Sequence, residues 1–139
     1  MRKAQFAALA LSAVLALFVG VWAYVLPQSF YDLFPGIPGP WVSVDGPFNE
    51  HLVRDVGGMY LALAAASVAG LIWRSPVAYR LLGIAWTVFG ALHFVYHVLH
   101  LDHMTPVDAV GEAISLLVSL LLGVILLLPA GADRKAVTR

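Results

Sequence analysis

The chain has 139 residues, of which 61% are hydrophobic and only 12% charged, and its formal net charge is zero. A soluble domain carries about a quarter charged residues, so this composition excludes an ordinary water-soluble domain and points to a membrane. The absence of cysteine excludes disulfides, thiolate metal ligation and thiol redox chemistry, and no run of Lys and Arg forms the basic patch that a nucleic acid requires.

Backbone polar groups in lipid must be satisfied within the structure, which leaves helices or closed barrels. The apolar runs here are continuous rather than alternating, so they predict helices. The first run covers residues 4–26, about 34 Å as a helix and long enough to span the hydrocarbon. It follows Met1-Arg2-Lys3 and has no clean small-residue cleavage site. It is therefore expected to be an uncleaved first crossing rather than a signal peptide, with Pro27 at its exit.

Residues 27–49 follow, with five prolines (Pro27, Pro35, Pro38, Pro40, Pro47) among Gly36, Gly39 and Gly46. Phe30, Tyr31, Phe34, Trp41 and Phe48 are interleaved with them. Proline and glycine punctuate turns, and the aromatics predict an ordered cap over one mouth of the helices, either an interfacial loop or a lid for an apolar ligand. Three further crossings are expected at residues 52–73, 77–100 and 107–128, with Pro76, Pro106 and Pro129 at or just outside their ends. The fold expected is all-α: one domain over residues 1–139, an integral membrane four-helix bundle with a Pro/Gly/aromatic-rich outer loop between the first two crossings.

Charge sets the expected orientation. Arg2 and Lys3 precede the first crossing, Arg74 and Arg80 flank the turn between the second and third, and Arg134, Lys135 and Arg139 lie in the tail. The opposite side has Arg54 alone. Lys and Arg mark cytoplasmic loops, so both termini are expected inside a bacterial cytoplasmic membrane. Small-residue stripes at spacing four are Gly111, Ser115, Ser119 and Gly123; Ala62, Ala66 and Gly70; and Ser12, Ala16 and Gly20. They predict close helix packing or homo- or hetero-association.

All five histidines and seven of the eight acidic residues fall on the predicted outer side: Asp32, Asp45, Glu50, Asp55, Asp102, Asp108 and Glu112, with Asp133 inside. His93, His97 and His100 follow i, i+4, i+7 spacing on one helix face. His51 and Asp55 are four apart at the start of the second crossing, and Asp108 and Glu112 are four apart at the start of the fourth. Antiparallel helices would converge these groups, and such nitrogen and oxygen donors suit zinc, iron, manganese or copper. The expected metal ligands are His93, His97, His100, His51 and Glu112, with Glu112 and Asp55 as catalytic groups. His103, in the loop above, is a further candidate to cap the site. The alternative is a paired polar network, with Arg54 on Asp55 or Glu112, that fixes helix register and binds nothing; a proton or ion path is a third.

The segment GPFNEHLVRDVGGMYLALA, Gly46 to Ala64, followed by a histidine-bearing third crossing, resembles small bacterial four-helix membrane proteins grouped with the DoxX-like family. That resemblance implies a four-helix bundle and, in some members, quinone-linked oxidoreductase or accessory roles. The HxxxHxxH run is also similar to one box of histidine-rich membrane di-iron oxygenases, whose further boxes this chain lacks. Two functions follow as expectations. One is a metal-dependent membrane enzyme acting on a lipid-like or quinone-like substrate. The other is a non-catalytic membrane module binding a cation, a lipid or a partner protein.

Overall fold

The computed structural model describes residues 3–129. Arg2, Asp133, Arg134, Lys135 and Arg139, which entered the orientation argument, lie outside the described residues. Among the described residues the fold is all-helical: α1 (Lys3–Val25), α2 (Pro27–Leu33), α3 (Glu50–Trp73), α4 (Pro76–Val98), a 3₁₀ turn (Leu101–His103) and α5 (Pro106–Leu127). Four of these helices, α1, α3, α4 and α5, are long and apolar enough to cross a membrane.

The helix starts are written into the sequence. The side chains of Asn49, Ser75 and Thr105 accept hydrogen bonds from the backbone N–H of Leu52, Ala78 and Asp108 at 3.1, 3.0 and 3.2 Å. Each satisfies a donor that a first turn leaves without a partner. Pro76 and Pro106 occupy first-turn positions where no N–H is needed. Arg74 ends α3 in the left-handed region at φ 51°, which lets two residues reverse the chain into α4.

Two boundaries depart from expectation. The segment after Pro27 is not wholly loop: Pro27 interrupts α1, the chain bends at Leu26, and the proline then opens the seven-residue helix α2. The third crossing, expected to reach His100, ends at Val98, and Leu99 and His100 form a turn. That difference of two residues matters for the histidines.

In space α1 lies along α3 and α4 along α5; α1 also touches α5, while α3 and α4 meet over a shorter stretch. Lipid tails supply little hydrophobic force between apolar helices, so close backbone approach and specific hydrogen bonds hold them. A Cβ on Gly57 would sit 2.6 Å from the backbone nitrogen of Tyr24, and one on Gly123 would sit 2.8 Å from that of Thr87. These are the contact points of the two helix pairs. Trp86 donates from Nε1 to Ser67 Oγ at 3.0 Å, tying α4 to α3. Gln5 donates to the carbonyls of Leu126 and Leu128 at 3.3 and 2.8 Å, tying the start of α1 to the end of α5. Ser12, Ala16 and Gly20 are buried as their spacing suggested, whereas Ala62 and Ala66 face outward.

The glycine contacts give a paired prediction. Gly57→Ala forces α1 and α3 apart and should destabilise the protein by about 1–3 kcal/mol, the usual range for overpacking. Gly58→Ala, one residue on, meets open space and should be neutral or slightly stabilising. Thermal unfolding in detergent measures both; equal melting temperatures for the two variants would contradict the packing described.

Candidate functional site

At the end where α1 and α4 finish and α3 and α5 begin lies a cavity of about 740 Å³. Its wall draws on α1 (Leu15, Phe18, Val19), α2, the segment leading to α3, and the facing parts of α3, α4 and α5. Most of that wall is apolar. The aromatic part is built outward from α2. The rings of Phe30 and Phe34 lie 4.6 Å apart, and Phe34 meets Trp41 nearly perpendicularly at 6.3 Å.

Trp41 is the keystone of the cap. Its backbone N–H donates to the Phe34 carbonyl at 2.7 Å, and its indole Nε1 donates to Asp108 Oδ1 at 3.0 Å. Its ring packs on Gly111, where a Cβ would approach to 3.2 Å. Asp108 also accepts from the Thr105 hydroxyl. Asp108 therefore anchors the cap to α5.

The polar part of the cavity is compact. His97 Nδ1 stands 2.9 Å from Glu112 Oε1, and Glu112 is only 5% exposed. Asp45, in the cap, reaches within 3.9 Å of the same His97 nitrogen. His93 lies one turn deeper on α4, its ring perpendicular to that of His97 at 4.5 Å and stacked on Phe89 at 5.2 Å. Ser115 and Ser119 complete this side, and the Ser115 hydroxyl is turned back onto the Glu112 carbonyl at 2.9 Å. Among the described residues no Lys or Arg lines the cavity.

The other expected members lie elsewhere. His100, beyond the end of α4, stacks on Tyr96 at 4.3 Å, with its Nδ1 2.7 Å from the Tyr96 carbonyl oxygen. His51 and Asp55 pair with each other at 3.3 Å with side chains 88% and 63% exposed. His103 and Asp102 form a similar exposed pair at 3.5 Å. Arg54 turns to Glu50 at 2.8 Å and to the Tyr24 carbonyl rather than to Asp55 or Glu112.

The expected divalent metal, whether zinc, iron, manganese or copper, is thereby corrected. Among the described residues no group of three or more His, Asp or Glu side chains is arranged to hold a metal ion. The physical reason is the end of α4 at Val98. The i+7 histidine leaves the helix face, His93 lays its ring on Phe89, and His51 stays on the outer surface of α3. His93, His97, His100, His51 and Glu112 do not form one ligand set. The sequence places Trp41 in the cap and Asp45 on the outer side but gives no signal that either joins the site, because nothing in a Pro/Gly-rich segment fixes where its side chains end up.

Comparison with protein-family models, curated proteins and solved structures gives no match. The functional reading therefore rests on the geometry of the cavity.

Burial pushes the Asp45 carboxyl above the ordinary carboxylate value; His97 opposes that shift and Glu112 adds to it. The folded chain thus holds the Asp45 proton more tightly than the unfolded chain does. The associated stability is present below the ordinary carboxylate value and is lost as pH rises through the raised one. Asp45→Asn should therefore melt above the parent at neutral pH, with the gap closing towards about pH 4. Melting curves across that range test this, and a gap that widens on acidification would contradict it.

Proposed function

We propose that this chain is a multi-pass protein of the bacterial cytoplasmic membrane, a four-helix bundle with both termini cytoplasmic. In this reading its outward-facing cavity binds a lipid-like or quinone-like amphiphile. The observation that carries the reading is the cavity itself: about 740 Å³, mostly apolar in its wall, with one small group of convergent polar side chains. Ligand sites for small molecules have this size and this ratio of apolar wall to placed polar groups. The tail lies along the aromatic wall and the head meets His97, Glu112 and Asp45.

One observation favours chemistry on the bound ligand as a second reading. With Nδ1 engaged by Glu112, the His97 ring keeps Nε2 without a partner among the described residues. A carboxylate that fixes an imidazole in this way leaves the far nitrogen as a general base. The non-catalytic alternative needs only the binding.

Trp41 lines the cavity, and quinones quench nearby indoles. Titrating a decyl-tailed quinone into the protein in lipid nanodiscs should give saturable quenching, most of it lost in Trp41→Phe. Quenching that never saturates and is the same in Trp41→Phe would sink the binding reading.

Orientation has its own test, because the chain has no cysteine. Cysteine at Asp102, at the cavity end, should react with an impermeant thiol reagent added to intact cells, and cysteine at Ser75 should not. The reverse pattern would invert the assignment.

A further inference from the structure

The amphiphile reading leaves the charge of the head group open, and the lining of the cavity narrows it. Two carboxylates, Asp45 and Glu112, face the cavity and no Lys or Arg does. The described basic residues lie away from the cavity lining. Arg54 is bound to Glu50 and the Tyr24 carbonyl, and Arg80 borders a separate small pocket beside Gln5 and Leu128 near the other end of the helices. His97 makes its short contact with Glu112, at 2.9 Å, and is 3.9 Å from Asp45. His97 can neutralise at most one of the two carboxylates, and only when its Nε2 is also protonated; His93, the other imidazole of the lining, pairs with neither. The Asp45 carboxylate accepts no hydrogen bond among the described residues; only its backbone N–H is engaged, donating to the Val42 carbonyl at 3.2 Å.

The walls have the same bias. Phe30, Phe34, Trp41 and Tyr60 all border the cavity. The faces of aromatic rings carry negative electrostatic potential and attract quaternary or protonated amines. The lining is therefore one positive charge short and surrounded by surfaces that stabilise a diffuse cation. An anionic head would meet two carboxylates against at most one imidazolium, already in contact with Glu112, which is the repulsive half of specificity.

We propose that the occupant of this cavity is a lipophilic cation, an amphiphile whose amine or quaternary ammonium head sits between Asp45 and the aromatic wall. The inference rests on the amphiphile-binding reading and goes further by selecting the class of head group. The Asp45 carboxyl, raised chiefly by burial and further by Glu112, agrees with it.

The test is competition against the decyl-tailed quinone, read from Trp41 quenching in neutral-lipid nanodiscs at neutral pH. Three competitors share a ten-carbon tail: decyltrimethylammonium, a neutral decyl maltoside and decyl sulfate. The cation should displace the quinone at a concentration at least tenfold lower than the neutral competitor, and the sulfate should be the weakest. In Asp45→Asn the cation's advantage over the neutral competitor should fall to less than threefold. Displacement in each variant is referred to that variant's own quinone affinity, and its melting temperature shows whether the fold is kept. Should Asp45→Asn lose the quinone signal, Asp45→Glu supplies the fold control and should keep the cation's advantage. Equal displacement by cation and neutral competitor, or stronger displacement by the sulfate, overturns the cation assignment while leaving amphiphile binding in place. Absence of any saturable quinone signal in the parent overturns the amphiphile reading itself.

Discussion

A carboxylate buried in an apolar helix is the constraint around which the capped end of this protein is organised. Glu112 sits nearly two turns into α5 and is almost completely covered. In lipid or in a packed interior an unpaired carboxylate is prohibitive, and removing one member of a buried pair typically costs about 3–5 kcal/mol. His97 answers it from α4 at 2.9 Å. That contact fixes the rotation of α4 against α5 at the end where Gly123 no longer holds the two backbones together. It also fixes which faces of both helices look into the cavity.

The cap depends on the same region of α5. Asp108 and Gly111 lie on the turn that leads to Glu112, and both hold Trp41, one through its indole N–H and the other by leaving room for its ring. Trp41 in turn secures the chain that carries Asp45 towards His97. Small residues on α5 thus serve two ends. Gly123 allows close helix contact, while Gly111, Ser115 and Ser119 border the cap and the cavity. A stripe that looked like one packing surface is divided by depth into a contact and a wall.

The cavity also explains why so many ionisable groups gather at one end without forming one cluster. His51, Asp55, His103 and Asp102 are exposed local pairs four or fewer residues apart. Pairs of that kind contribute little to stability and require nothing of the fold. Among the described residues, His93, His97, Glu112 and Asp45 are the histidines and acids brought together from separate parts of the chain at the cavity, and their shared environment is the one that gives the site its chemical character.

The sequence by itself determined the four long apolar helices, because hydropathy over about twenty residues and proline or capping side chains at the ends are local properties. It also determined that histidines and acids would collect at one end, since alternating helix direction is set by connection length. What it could not determine was which of them meet. Spacing placed His93, His97 and His100 on one face, but a helix that stops at Val98 carries His100 away, and no local signal marks that stop. Asp45 and Trp41 lie in a segment whose path is set by Asp108, Gly111 and Phe34, contacts between residues far apart in the chain. Only the tertiary structure decided that Asp45 would face His97, because that placement depends on how the cap is pinned to α5 and not on any residue near Asp45 itself.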